Sequence, residues 1–340
     1  MKSIKILSSI MLSLLLVILV GCDSKEKSTV KTKLELKLIK SIKLEGIIEE
    51  KPYWNAIEDR IFFSCPFEKV VRVVNFEGKM LAELDKIGEG PGEISGFGLV
   101  YIHKQSREIE YDDFTNDRSS IFDYNLNYIR TLPAKISSCY YMYDYPDRKF
   151  KLMYNPTRED GKYITNISAE ILFADSTKQL ASSSFDVLNY NCISEFHVAA
   201  NDEVILVGQA LQDVIDFEVF DLDGNTLNRV KYSYPRIRKC TEEFEDWEDI
   251  VKGGGIDYSN WKDYSSIEMI FADFSNRAWI LNHNEAKNFN LLVFSPDGEL
   301  QDEFDLGTRL CDVKVHNDKI FKLSWDKDDN YKIEIYQIEG

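Results

Sequence analysis

The chain has little positive charge for its size. Its 340 residues include 41 Lys and Arg against 58 Asp and Glu, which gives a formal net charge of −17 at pH 7. A strongly acidic surface repels the phosphodiester backbone. This composition therefore excludes nucleic acid as an expected partner.

Cysteine is also scarce, and the motifs of several common reactions are missing. The six cysteines are widely spaced and form no C-x-x-C, which argues against a zinc ribbon or a redox motif. The sequence contains no H-E-x-x-H and no serine nucleophile elbow. Aspartate and glutamate are plentiful, but a linear sequence does not show which two would pair as a glycosidase requires.

The chain does contain one sequence pattern, an aromatic phrase, that is repeated six times. An alternating apolar run ends in an aromatic residue, a turn follows within two or three residues, and a second run begins. The aromatic residues are Phe76, Phe122, Phe173, Phe220, Phe294 and Tyr336, spaced by 42 to 51 residues except for one interval of 74. Such a period is typical of β-propeller blades. The sequence therefore predicts an all-β, six-bladed β-propeller with four-stranded antiparallel blades.

The last repeat lacks one strand. The chain ends directly after the phrase around Tyr336, whereas an alternating segment at residues 36–44 precedes the first repeat. We expect this N-terminal strand to close the last blade, because a closed ring leaves no unpaired sheet edge. The propeller then spans residues 34–340. Tight turns are predicted at glycines 78, 224 and 298, each of which follows a Glu or an Asp.

The long interval contains an insertion at about residues 234–266. Residues 241–251 begin with a capping-type threonine and place apolar residues on one helical face, so a short helix is expected there. The insertion also carries these aromatic and carboxylate residues: Glu243, Trp247, Tyr258, Trp261, Asp263 and Tyr264. Aromatic rings and carboxylates suit the binding of a glycan or a peptide. The alternative is that the aromatic rings only pack the insertion onto the blades.

A column of polar residues precedes the second strand of most blades. His103, His197 and Asp273 belong to this column or lie one place from it. The innermost strands of a propeller line a central channel, so these residues could converge on zinc or iron. The alternative is that short polar side chains cap the hairpin between the first and second strands. No other cofactor is expected.

The N-terminus has the pattern of an export signal. Two lysines precede an apolar run at residues 10–20, which is too short for a membrane span and is followed by Cys22. This ending resembles the bacterial lipobox, in which the cysteine becomes the lipidated first residue. Residues 1–21 are therefore predicted to be a lipoprotein signal peptide, Cys22 the lipidation site, and residues 22–33 a flexible tether.

Residues 87–93, with the sequence IGEGPGE, resemble a segment of lipid-anchored bacterial six-bladed β-propeller proteins. Residues 202–220 and 277–294 are similar to degenerate repeats of the NHL-like and TolB-like propellers. The resemblance covers the mature chain and implies the fold and a lipid anchor, but no activity. The glycines at 88–92 do not predict a phosphate cradle, because neither a helix pattern nor a Lys-Ser/Thr ending follows them.

Together these patterns favour a binding protein of the bacterial envelope or surface. We expect it to be exported, attached to a bacterial membrane through its lipid, and to present one propeller face to a glycan, a peptide or an envelope protein partner. The insertion supplies the expected ligand-binding residues. The alternative is a lyase or hydrolase that uses carboxylates or a metal in the central channel.

Replacing Cys22 by serine is expected to release the protein from membranes, because the thiol that would carry the lipid is lost. The measurement is the distribution of the protein between membrane and soluble fractions of the expressing bacterium. The variant Cys240→Ser is the control and should remain with the membrane. Retention of Cys22→Ser in the membrane fraction would contradict the lipidation site.

Overall fold

The structure is a computed structural model. It describes residues 33–48, 52–65, 68–95, 98–113, 115–133, 138–159, 162–186, 196–209, 211, 213–235, 237, 266–285, 288–308, 310–325 and 330–340. Leu34–Gly340 form one unit by their internal contacts. All regular elements in these ranges are strands, and none of the described residues forms a helix with the length and apolarity to cross a membrane.

Short turns return the chain beside the strand it has just formed, so consecutive strands pair antiparallel. In chain order the strands are β1 (Glu35–Lys43), β2 (Tyr53–Ile57), β3 (Arg60–Cys65), β4 (Val70–Asn75), β5 (Met80–Leu84), β6 (Gly98–His103), β7 (Glu108–Asp113), β8 (Arg118–Asp123), β9 (Tyr128–Pro133), β10 (Ser138–Asp144), β11 (Lys149–Glu159), β12 (Lys162–Leu172), β13 (Thr177–Asp186), β14 (Phe196–Ala200), β15 (Val204–Gln209), β16 (Val214–Asp221), β17 (Thr226–Ser233), β18 (Met269–Ala272), β19 (Ala278–Glu285), β20 (Asn288–Phe294), β21 (Leu300–Gly307), β22 (Leu310–His316), β23 (Lys319–Trp325) and β24 (Tyr331–Glu339).

These strands form six four-stranded antiparallel sheets. Blades 1 to 5 consist of β2–β5, β6–β9, β10–β13, β14–β17 and β18–β21, and blade 6 consists of β22–β24 with β1 at its outer edge. The first strand of each blade is the innermost one. The predicted six-bladed β-propeller is therefore confirmed.

Apolar side chains on both faces of a blade hold it between its neighbours. Phe217 of β16 packs with Ile280 and Phe294 of blade 5, and Phe220 of the same strand packs with Phe150 of blade 3. Successive side chains of a strand point to opposite faces, so an odd and an even position serve different neighbours. A blade therefore buries its faces only when both neighbouring blades are in place.

The strand β1 closes the ring by pairing antiparallel with β24. Ile42 lies opposite Ile333, is 3% exposed, and belongs to the core between blades 6 and 1. At the start of β1 the backbone N–H of Leu34 donates to the carboxylate of Asp302 at 2.7 Å. The prediction that residues 36–44 complete the last blade is confirmed.

The predicted tight turns are present at three glycines with positive φ. These are Gly78 (79°), Gly224 (74°) and Gly298 (83°). In blade 2 the equivalent turn contains Leu126 with a φ of 61°, a position that no glycine pattern indicates. There the carboxylate of Asp123 accepts the N–H of Asn127 at 2.9 Å, which stabilises the turn without a glycine.

Residues 87–93 form a loop whose glycines make room for a carboxylate. Glu93 Oε2 accepts the N–H of Gly90 at 2.7 Å, and a Cβ at Gly88 would lie 2.1 Å from the same oxygen. Arg118 donates to three backbone carbonyls of the loop. The glycines therefore serve the backbone of a crossing between blades.

Some predicted features lie outside the described residues. They are the signal peptide, the lipidation site Cys22, nearly all of the tether, and the short helix at residues 241–251. These features stay predictions.

Ile42→Ala is expected to lower the free energy of unfolding by about 2–5 kcal/mol, because it leaves a cavity in the core that joins the two ends of the chain. Ile39→Ala on the same strand is the control. Ile39 is 46% exposed, so its loss should cost about 0.5 kcal/mol or less. Urea unfolding measures both variants, and equal effects would contradict the role of β1 in closing the ring.

Candidate functional site

The loops of the propeller lie on two opposite faces. One face carries the loops that join consecutive blades and those that join the second and third strands of a blade. The other carries the turns between first and second strands and between third and fourth strands. The ends of the insertion between β17 and β18, at Tyr234 and Ser266, lie on the first face. We call this face the insertion face and the opposite one the turn face.

The ligand-binding residues predicted within the insertion lie outside the described residues. They are Glu243, Trp247, Tyr258, Trp261, Asp263 and Tyr264. Their role stays a prediction. The structure does describe both ends of the insertion, at Tyr234 and Ser266.

Both ends of the insertion are attached to the loop between β15 and β16. The N–H of Tyr234 donates to the carbonyl of Asp213 at 2.9 Å, and the N–H of Ser266 donates to the carbonyl of Leu211 at 2.6 Å. The hydroxyl of Tyr234 donates to the carbonyl of His283 in blade 5. Burial raises the pKa of Tyr234 to about 12, so the phenol remains a donor. The insertion thus begins and ends above the contact between blades 4 and 5.

A crevice of about 260 Å³ opens between blades 3 and 4. It is lined by Leu180, Ala181, Ser182 and Ser183 of β13 and by Phe196, Val207, Gln209, Asp216, Phe217, Glu218, Phe220 and Arg229 of blade 4. The alternation of β16 explains the gap. Asp216 and Glu218 occupy the face on which Phe220 meets blade 3, and the opposing strand offers serines rather than large apolar residues. The two blades therefore pack less tightly at the crevice than on its turn-face side, where Phe220 and Phe150 are buried.

The charged groups of the crevice are paired with one another. Buried Asp216 accepts hydrogen bonds from Nε and Nη2 of Arg229, both at 3.2 Å, and lies 3.2 Å from Nζ of Lys231. Arg229 also lies 3.2 Å from Glu218. The hydrogen bond to Asp216 is the main reason that the pKa of Arg229 is raised. The carboxylates of Asp216 and Glu218 thus pair with the cations of Arg229 and Lys231, so the net charge of these four groups is zero.

The residues predicted to hold a channel metal lie towards opposite ends of the central channel. His103 ends β6 at the turn face, with Nε2 2.9 Å from Oε2 of Glu110. Asp273 lies on the same face and accepts the backbone N–H and the Nε of Arg277 at 3.0 and 2.6 Å, so it caps its hairpin turn. His197 lies near the insertion-face end of β14, where burial lowers its pKa to about 4. Within the described ranges no three His, Cys, Asp or Glu residues are placed to hold a metal ion.

Side chains from several blades lie near one another at the turn-face end of the inner strands. Nζ of Lys104 is 3.4 Å from Oδ2 of Asp202, and the hydroxyl of Tyr143 donates to the other oxygen of Asp202 at 3.2 Å. Burial, with Lys104 and Lys319 nearby, lowers the pKa of His316 to about 4. The imidazole is therefore neutral near pH 7. We call these residues the channel-mouth cluster.

Sequence reasoning pointed to neither the crevice nor the channel-mouth cluster. A signal for the second exists, because Lys104 directly follows a member of the predicted polar column and Asp202 lies at the same turn of blade 4. The sequence signal that could have indicated the crevice is weaker. Asp216 and Glu218 alternate with apolar residues in β16, a pattern that is equally typical of a solvated strand face.

No protein-family model matches the chain, and no curated protein matches it. Among solved structures, the chain is similar to a Bacteroides fragilis protein proposed to be exported, with 9% identity, coverage of 92% of this chain and 98% of the other, and a TM-score of 0.50. It is also similar to a member of the DUF4221 family from Bacteroides vulgatus, with 12% identity, coverage of 91% and 99%, and a TM-score of 0.53. A chain of the mitotic checkpoint complex matches with 10% identity, coverage of 93% and 96%, and a TM-score of 0.52. At this identity the similarities show the fold alone.

The stability of the protein is expected to fall as the pH drops from about 6.5 towards 4. Over this window the unfolded chain binds a proton that His316 resists in the folded state, where its pKa is about 4, so the loss of stability grows towards low pH. The variant His316→Gln cannot take up this proton and should lose less stability than the wild type. Urea unfolding between about pH 7 and pH 4.5 tests this. Identical pH dependence in both proteins would contradict it.

Proposed function

We propose that this protein is an exported, lipid-anchored binding protein that holds its ligand in the crevice between blades 3 and 4. The observation that carries this proposal is the crevice itself. It combines apolar and aromatic walls with paired charges, serine hydroxyls and a carboxamide, on the half of blade 4 nearer the insertion face. Concave sites of this composition are typical of ligand-binding pockets.

Export and lipid anchoring are supported by the N-terminal sequence. A short apolar run ends at Cys22 in a pattern that resembles the lipobox. The propeller of Bacteroides fragilis with the same fold is itself proposed to be exported. Since fold similarity alone says little about location, the Cys22→Ser experiment is the direct test.

The size and chemistry of the crevice favour one ring of a neutral glycan. Its volume of about 260 Å³ exceeds a cavity of roughly 150 Å³ that binds benzene and approaches the roughly 300 Å³ at which ligand pockets begin. The hydroxyl of Ser183, the carboxamide of Gln209 and the carboxylate of Glu218 can each contact a sugar hydroxyl. The partly exposed ring of Phe196 offers apolar area to the sugar ring. The net charge of −17 disfavours an anionic glycan.

Gln209→Ala is expected to weaken glycan binding about tenfold, because it removes one exposed donor and acceptor from the crevice wall. The matched control is Gln179→Ala on the neighbouring β13, where Gln179 is also exposed but lies outside the crevice. A glycan array identifies the ligand and calorimetry measures both variants. Equal binding by the two variants, or binding of peptides instead of glycans, would count against the proposal.

The channel-mouth cluster supports a second candidate function, that of a lyase or hydrolase. The carboxylate of Asp202 can accept a proton, and the ammonium of Lys104, 3.4 Å away, can stabilise developing negative charge. The test is whether a glycan that binds the protein is shortened during prolonged incubation. Recovery of the intact glycan supports the binding role alone.

A further inference from the structure

Three asparagines lie together at the insertion-face end of blade 5. Asn282 and Asn290 are opposite each other in β19 and β20, and Asn284 follows two residues after Asn282. Side chains at every second position of a regular strand share a face, and residues directly opposite each other share it too, which places Asn282 and Asn290 together; Asn284 lies at a β-bulge beside them. Ile280 and Leu292, two positions away on the same face, pack against blade 4. The asparagines therefore replace apolar residues where the contact between blades 4 and 5 approaches the insertion. We call them the amide ladder.

The amide ladder is buried, yet several of its polar atoms have no partner. Asn282 is 0% exposed and Asn290 is 1% exposed. Nδ2 of Asn290 donates to Oε1 of Glu303 at 2.6 Å. In the part of the chain that the structure describes, neither Nδ2 nor Oδ1 of Asn282 has a hydrogen-bond partner, and Oδ1 of Asn284 has none.

These unpaired atoms lower the free energy of unfolding. A buried donor or acceptor without a partner costs about 1–3 kcal/mol, whereas an apolar side chain of similar shape avoids the cost. The two preceding positions on this face of β19 are Ala278 and Ile280, which shows that the face accommodates apolar side chains. A local choice that lowers stability without a compensating contact is characteristic of functional positions.

The amide ladder lies directly below the ends of the insertion. Tyr234 hydrogen-bonds the backbone of His283, which lies between Asn282 and Asn284, and its side chain also interacts with that of Asn290. Ser266, at the other end, is 1% exposed and donates its hydroxyl proton to the carbonyl of Val214 at 2.6 Å. The unpaired amides therefore occupy the point at which the insertion leaves and rejoins the ring.

We propose that the amide ladder is a second ligand site, which binds a hydroxyl-rich uncharged group such as a sugar residue of a neutral glycan. A carboxamide presents a donor and an acceptor side by side, and a hydroxyl pairs with both. A charged ligand is a poor match, because Asn282 and Asn284 carry no charge and the carboxylate of Glu303 already accepts from Asn290. The site is separate from the crevice, since blade 4 lies between them. Only its ligand class rests on the proposed function.

The experiment compares the full-length wild type with Asn282→Leu, which keeps the side-chain shape and removes the amide. We expect the midpoint of thermal unfolding to rise by about 2 °C or more. We also expect calorimetry with neutral hexasaccharides (maltohexaose, cellohexaose and xylohexaose) to show the loss of one of two binding sites per protein, with affinity at the lost site at least about tenfold weaker. Ser324→Ala is the matched control. It removes another buried, unpaired polar atom, in blade 6, so it should raise the unfolding midpoint and leave binding unchanged.

Several results would overturn the proposal. A lower unfolding midpoint for Asn282→Leu would show that the amide has a structural partner such as an ordered water. A raised midpoint with unchanged binding, or no binding of any of these oligosaccharides to the wild type, would show that the ladder is not a sugar site. If Asn282→Leu loses binding of a neutral peptide and not of an oligosaccharide, the amide ladder is a peptide site and not a sugar site. If Gln209→Ala weakens binding and Asn282→Leu does not, the result supports the crevice as a glycan site and contradicts the amide ladder as one.

Discussion

The ring depends on the pairing of β1 with β24. Each blade has apolar residues on both faces, so every blade needs two neighbours, and a row of six blades satisfies this only when it closes. The first strand supplies Ile42 and Leu44 to a core whose other members include Phe321 and Ile333 from the end of the chain. Glu35 pairs with Glu339, so the two termini of the propeller must meet before this core can form. The cores between the other blades gain their full burial from the same event.

The contacts between blades are not equally apolar. The contact between blades 6 and 1 is filled with residues such as Phe63 and Phe321 along its length. The two contacts of blade 4 become polar towards the insertion face. On one side Asp216 and Glu218 border the crevice, and on the other Asn282 belongs to the amide ladder. The closed apolar contacts provide stability, and the polar ends beside blade 4 are available for binding.

The architecture could be predicted because it depends on periodic and local signals. The repeated aromatic phrase marks the third strand of each blade, and the short last repeat predicts that an N-terminal strand completes it. Positive φ at glycine is similarly local, and where Leu126 takes that conformation the pattern does not indicate it. These features need no knowledge of which blade faces meet.

The sites could not be predicted in the same way, because they form between elements that are distant in sequence. Ser182 and Asp216 belong to different blades, and only the packing of the blades makes them line one crevice. The residues proposed for a channel metal were grouped by sequence position alone, and their role as metal ligands stays a prediction. Both histidines belong to the first strand of a blade, and these strands run in the same direction. His103 is the last residue of β6 and His197 is the second residue of β14, so the two lie towards opposite ends of the channel.

The position of Glu35 also bears on how the propeller faces its surroundings. Since Glu35 pairs with Glu339 beside the start of β23, the chain enters the ring from the turn face. The channel-mouth cluster lies on this same face, at the turns that follow β6 and β14. The point at which the chain enters the ring and the amide ladder beside the opposite face are therefore separated by the full height of the blades.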